Sequence, residues 1–246
     1  MSGHSKWANI KRKKGKTDSQ RGKVFTKLGR EIAISVKEGG SDTSVNAKLR
    51  DIIAKAKANN MPNDNIIRSI KKASGEFGSV NYEEISYEGY GPSGVAIIVE
   101  ALTDNRNRTA AEIRHIFDRS SGGLGASGCV SWMFDRKGVI VIEKSSKLDE
   151  DAMMMSALEA GAEDVTDVTD AFEIITNIID FSSVREALEK ESYEFISAGI
   201  ELIPQNTVAL DKEGIQKIMI MVDKLEDLDD VQDVYHNLEL TDEIEE

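Results

Sequence analysis

Near residue 79 the spacing of apolar residues changes, and that change limits the folds open to the chain. Upstream the period is helical. In DSQRGKVFTKLGREIAISVKEGG (18–40), Phe25, Leu28, Ile32 and Val36 recur at close to 3.6 residues, and Gly39-Gly40 supplies the stop. TSVNAKLRDIIAKAKANN (43–60) opens on Thr43 and Ser44, both good caps, and lines up Leu49, Ile52, Ile53 and Ala56. A third helix is expected from Pro62-Asn63 to Gly75. It should turn Ile66, Ile67 and Ile70 inward and set Arg68, Lys71 and Lys72 on the opposite face.

Downstream, short β-branched runs alternate with single helices. NYEEISYEGYG (81–91) and GVAIIVEALT (94–103) read as strands joined by Gly91-Pro92-Ser93-Gly94. RTAAEIRHIF (108–117) follows as a helix, with Thr109 and Glu112 at capping-box spacing. After a glycine-rich loop come expected strands CVSWMF (129–134), GVIVIEK (138–144), AFEIITN (171–177), IELIP (200–204) and VQDVYHN (231–237). Helices LDEDAMMMSALEAGA (148–162), VREALEKE (184–191) and KEGIQKIMIMVDKLE (212–226) lie between them. This pattern predicts an α+β multidomain protein: a basic three-helix domain over 1–78, then two small α/β sandwiches of split βαβ, ferredoxin-like type. One sandwich is expected from 79–131 and 205–246, with the other, 132–204, inserted between its halves.

Charge follows the same division. The whole chain carries a net charge of -13, but residues 1–78 hold 18 Lys or Arg against 7 Asp or Glu. The excess is densest in HSKWANIKRKKGK (4–16), where Lys6, Lys11, Arg12, Lys13, Lys14 and Lys16 surround Trp7. Cations interleaved with an aromatic ring suit a polyanion with accessible bases, the cations meeting phosphates and Trp7 stacking on a base. Arg21, Lys23, Arg68, Lys71 and Lys72 extend the expected nucleic-acid contact into the helices. In LTDNRNRTAAE (102–112), Arg106 and Arg108 flank a helix start that could take a phosphate or other anion; pairing with nearby acids explains them equally well.

Other chemistry has little support. Gly123-Leu-Gly125-Ala-Ser-Gly128 spells a dinucleotide fingerprint, but a helix precedes it and a strand follows, the reverse of what pyrophosphate binding needs. Cys129 is the single cysteine, and His4, His115 and His236 share no ligand spacing. LEDLDDVQD (225–233) reads as a solvated acidic turn rather than a cation site. No catalytic residue, metal or cofactor is expected. No apolar run approaches the ~18 residues of a membrane span, so a cytoplasmic protein without membrane contact is expected.

GHSKWANIKRKK (3–14), RGKVFTKL (21–28), NNMP (59–62), YEGYGPSG (87–94), LTDNRNRTAAEIRHIF (102–117) and EDLDDVQDVYHN (226–237) together resemble the YebC/PmpR proteins, which include the mitochondrial translational activator of cytochrome oxidase. The resemblance implies a helical N-terminal domain, two α/β domains around a cleft, and a non-enzymatic regulator of gene expression. The chain reads Ser121-Gly-Gly-Leu-Gly125 where the family usually reads GGNLG. The match starts at Gly3, so no mitochondrial presequence and a bacterial cytoplasmic protein are expected. Two roles are implied. The first expectation is a ribosome- or RNA-associated translation factor that assists elongation, including through proline-rich stretches. Its partners would be rRNA or tRNA and ribosomal proteins. The alternative is a transcriptional regulator on promoter DNA, with Asn63–Ser74 as recognition helix.

Overall fold

The computed structural model describes residues 6–13, 19–75, 81–145 and 148–240. Four helices open the chain: α1 (Lys6–Lys13), α2 (Ser19–Gly39), α3 (Ala47–Ala58) and α4 (Asn63–Ala73). The last three pack through Leu28, Ile32, Val36, Leu49, Ile52, Ala56, Met61 and Ile66. The cap of α3 is Asn46 rather than Thr43 or Ser44. Its Oδ1 accepts the Leu49 N–H at 3.0 Å, while its amide donates to the Ser35 and Gly40 carbonyls. One buried side chain therefore starts α3 and ties it to α2. Ile67 departs from its expected inward position and is 50% exposed, because Ile66 and Ile70, one turn apart, already occupy the inner face.

The rest of the described chain runs β1 (Glu83–Tyr90), β2 (Ala96–Thr103), α5 (Arg106–Arg119), β3 (Gly123–Leu124), β4 (Phe134–Glu143), α6 (Glu150–Glu159), β5 (Asp164–Val168), β6 (Ala171–Thr176), α7 (Phe181–Lys190), β7 (Ser197–Pro204), α8 (Lys212–Glu226) and β8 (Val231–His236). The α+β class expected from the sequence is what these elements form. Two four-stranded antiparallel sheets result, ordered β3-β1-β2-β8 and β5-β6-β4-β7. The second has the ferredoxin-like arrangement, with β6 inserted between β5 and β4. In the first, β1 separates β2 from β3, which α5 connects.

Strands β2 and β4 are buried on both faces, which is why AIIV and VIVI are unbroken apolar runs. Ile97 and Val99 meet Phe117 of α5 and Met221 of α8, while Ala96 and Ile98 face Val130 and Phe134. Ile140 and Ile142 meet α6 and α7 through Met153, Ala157, Val184 and Leu188. Val139 and Val141 point the other way, toward Trp7.

Three local expectations are corrected. CVSWMF is not a strand: Ser131–Met133 forms a 3₁₀ turn and β4 runs from Phe134. The N–H groups of Val130 and Ser131 go to the Glu88 carboxylate, which removes them from sheet pairing. Helix α5 starts three residues before Thr109 and is capped by Asn105, whose Oδ1 accepts the Arg108 N–H at 3.1 Å. Strand β5, DVTDV, was not anticipated; its acids and threonine mask an edge strand that pairs along β6.

Candidate nucleic-acid interface

The opening stretch is anchored rather than displayed. Trp7 is 6% exposed and lies against Val139, Val141 and Ala171 on the back of the second sheet, with Ile10 of α1 beside it. Its backbone N–H donates to Glu173 Oε1 at 2.6 Å. An indole enclosed in this way has no face left for a base, so the stacking role expected of Trp7 is corrected to a packing role. Lys6 pairs with Glu201 at 2.7 Å. Burial pushes the Lys6 ammonium down, but the Glu201 and Asp233 carboxylates outweigh it and hold the group above its usual range. Lys6 is therefore committed to the protein. Lys6 lines a cleft of about 370 Å³ between the sheets, together with seven carboxylates that include Glu173, Glu201 and Asp233. The backbones of Lys11, Arg12 and Lys13 complete α1 and that of Arg21 belongs to α2. The side chains of these four lie outside the described residues, as do Lys14, Lys16 and His4 entirely.

Much of the remaining N-terminal charge joins the helices to the acidic part. Lys23 pairs with Asp227 at 3.1 Å, Arg30 with Asp230 at 2.8 Å, Lys48 with Glu84 at 3.3 Å and Arg50 with Glu186 at 3.4 Å. Lys27 donates to the Glu226 carbonyl at 2.9 Å. The acidic LEDLDDVQD segment, expected to be a solvated turn, is thus the ridge on which α2 docks. Asp230 is its centre, with a side chain 4% exposed. Its carboxylate accepts Arg30 Nη1, Arg108 Nη2 at 2.6 Å, Thr109 Oγ1 at 2.6 Å and Thr103 Oγ1 at 3.1 Å. Burial alone would raise this carboxyl; hydrogen bonds from Thr109, Arg108 and Thr103, with the Arg30 charge, bring it below the usual range.

Those contacts decide between the two readings of Arg108. Its guanidinium pairs with Asp230 and, at 2.9 Å, with Asp104, so it serves as an internal partner rather than an anion ligand. Arg106 is exposed and makes no ion pair with the described residues. The dinucleotide look-alike also has an internal explanation. Glu88, 5% exposed, accepts the N–H groups of Gly128 at 2.8 Å, Val130 at 2.9 Å and Ser131 at 2.9 Å. A nest of backbone donors favours an anion, and here the protein's own carboxylate fills it.

Arg68, Lys71 and Lys72 differ from these cations: all three are exposed and none pairs with a described residue. Lys72 also lines a groove of about 510 Å³ between α2, α4 and the start of β1. Lys37 and Arg30 line it too, with Phe25 and Tyr82 as aromatic walls and no carboxylate among its lining residues. Lys37 donates to Asn81 at 3.0 Å, and Arg30 lies 5.4 Å from the Tyr82 ring centroid. Lys37 and Tyr82 were missed from the sequence, since they lie 45 residues apart and are united only where α2 passes the segment leading into β1. The molecule therefore carries two clefts of opposite sign.

Fold and site together define a three-part α+β protein, its helical module presenting a basic groove and held on an acidic pair of sandwiches. Residues 5–76 match the TACO1/YebC N-terminal domain, and residues 82–238 match the TACO1/YebC second and third domain. A "probable transcriptional regulatory protein" of Acetivibrio thermocellus is 66% identical over 96% of this chain and 98% of its own. One of Clostridium acetobutylicum is 59% identical over 100% of both. The crystal structure of a conserved hypothetical protein from Aquifex aeolicus superposes with a TM-score of 0.87 at 46% identity, covering 98% of this chain and 100% of that one. The chain belongs to the TACO1/YebC family. Among the described residues no helix is long and apolar enough to cross a membrane.

Proposed function

We propose that this protein is a non-enzymatic, nucleic-acid-binding regulator of gene expression that works on RNA at the ribosome, assisting elongation through difficult stretches such as polyproline. The observation that carries the reading is the groove between α2 and α4: cations and aromatic rings without a carboxylate, in a protein of net charge -13. Phosphate neutralisation by Lys72 in the groove, and by Arg68 and Lys71 on the exposed side of α4 beside it, supplies affinity. The Lys11–Lys16 stretch, tethered through Trp7, is the second contact in this reading.

The names of the relatives favour a second reading, DNA-binding transcriptional regulation. The charge layout of α4 weighs against it. A recognition helix reads bases chiefly with its N-terminal residues, and the first turn of α4 carries the exposed Asp64 while its cations gather toward the C-terminal end. That layout suits backbone contact better than major-groove readout.

The test compares ribosome co-sedimentation with binding to a defined promoter fragment and to random DNA, at one near-physiological salt. Ribosome association with little promoter preference is expected. Promoter discrimination of about 10³ or more, the usual scale of specific sites, without ribosome association would replace the first reading by the second. Replacing Arg68, Lys71 and Lys72 with Ser should make the salt slope on single-stranded RNA shallower by about 2, at roughly 0.7 per phosphate contact. An unchanged slope would exclude α4 from the interface.

A further inference from the structure

The loop that Glu88 fills also displays the most exposed aromatic ring among the described residues. Trp132 is 67% exposed and Tyr90, at the end of β1, is 40% exposed. Both rings are tied to one atom: the Cys129 carbonyl accepts Trp132 Nε1–H at 3.1 Å and the Tyr90 hydroxyl at 3.4 Å. Their polar groups are thus engaged within the protein, and what remains outward is ring surface. The support beneath is rigid, because three backbone N–H groups of the same loop converge on Glu88. Close packing adds to this, since a Cβ on Gly122 would fall 2.6 Å from the Tyr90 carbonyl.

The surroundings are as unusual as the rings. Residues 89–99 and 120–134 contain no charged side chain, although residues 79–246 hold 37 Asp or Glu against 13 Lys or Arg. Arg119, exposed at the end of α5 and without an ion pair to a described residue, leads into the loop beside the exposed Asp118, and Asp135 and Arg136 follow at its far end. The two rings thus stand on an uncharged stretch with a cation at its border.

We propose that Tyr90 and Trp132 form a stacking platform for unpaired nucleobases of a single-stranded RNA, with Arg119 placed for the adjoining phosphate. Stacking tolerates any base because every base has a π face, so this patch binds unstructured strand and ignores duplex. The inference rests on the nucleic-acid-binding reading above and adds a second, uncharged contact to the α2–α4 groove.

The experiment titrates the full-length protein with oligo(U) and with a blunt RNA duplex of equal length, following the anisotropy of a fluorescein label on each RNA, with indole fluorescence as a second readout for the parent. Trp7 is buried, so quenching by oligo(U) reports Trp132. Trp132→Ala should weaken oligo(U) binding roughly 5- to 150-fold, leave duplex binding and the salt slope unchanged, and leave the thermal melt unchanged because the ring is exposed. Trp132→Phe should retain most of the affinity, and Tyr90→Ala should lose a smaller share. If Trp132→Ala and Tyr90→Ala bind oligo(U) like the parent while the Arg68, Lys71 and Lys72 variant is weakened, the platform is refuted and the groove stands. Equal losses on duplex and single strand would also refute stacking. Loss of ribosome association with oligo(U) binding intact would mean that the rings dock protein, which overturns the proposal. No binding of any nucleic acid by the parent would remove both readings.

Discussion

Asp230→Asn tests how the helical module is held on the first sandwich. The substitution keeps the shape of the side chain, removes its charge and turns an amide N–H₂ toward a site furnished with donors. The four donors fare differently. Arg108 is 44% exposed and keeps Asp104, so water and that partner replace most of what it loses. Thr103 and Thr109 still bond each other at 2.8 Å. Arg30, 14% exposed, keeps only the Leu102 and Asp229 carbonyls and the Tyr82 ring. Removing one member of a buried pair costs about 3–5 kcal/mol; the partial access of water at Arg30 sets the expectation near 3 kcal/mol. That corresponds to a melting shift of roughly 6–12 °C for a cooperative unit of this size. Urea unfolding of Asp230→Asn, Arg30→Met and the double variant measures it, and the double should fall short of the additive loss by about 1–3 kcal/mol. The pH dependence has a fixed sign. The folded carboxyl is depressed, so its stabilisation is complete above the unfolded pKa of about 3.9 and fades as pH falls through the lower folded value. A loss under about 0.5 kcal/mol, or additive single variants, would refute the latch.

Trp7→Ala removes the ring that holds α1 on the second sheet. A buried Trp→Ala costs about 3–5 kcal/mol, but the loss is capped by the docking energy of α1, so hydrogen exchange over Lys6–Ile10 should rise sharply while the main melt moves little; unchanged protection would refute the anchor. Glu88→Gln leaves at least one of three converging N–H donors, of which that of Val130 is buried and the others half-buried, facing an amide donor, for an expected cost of about 1–3 kcal/mol by thermal melt. Burial raises the Glu88 carboxyl but the Gly128, Val130 and Ser131 donors prevail and depress it, so the parent's advantage over Glu88→Gln should hold above pH ~4.3 and shrink as pH falls through the folded value. An advantage that persists in acid would mean the loop is held by packing instead.

Periodicity made the helices and most strands legible, because a buried face imposes its spacing whatever the partner. Charge was read less well. HSKWANIKRKKGK looks like a free basic tail because sequence lists its cations without their counter-ions; Glu173 and Glu201 lie more than 160 residues away. Trp7 follows the same logic, since an aromatic ring between lysines reads as exposed until Val139 and Val141 are seen to present their second face to it. Thr109 fits a capping box by spacing, yet Asp230 draws its hydroxyl inward and Asn105 takes the cap. Strand β5 escaped notice because an edge strand buries too little to need an apolar pattern.

The division of charge then acquires a consequence that net charge conceals. Cations such as Lys6, Lys23, Arg30 and Arg50 are matched within the fold, so the basic excess of residues 1–78 is not all available to a ligand. What remains unmatched among the described residues of that region includes Arg68, Lys71 and Lys72, beside a groove without carboxylates. The cleft between the sheets holds seven carboxylates. A polyanion approaching such a molecule is attracted at one face and repelled at another, so the field selects an orientation before any contact forms. With a Debye length of about 8 Å at physiological ionic strength, that selection operates only at short range and weakens with added salt. Specific placement must then come from groups that salt does not screen, and the exposed Tyr90–Trp132 pair on its uncharged loop is of that kind.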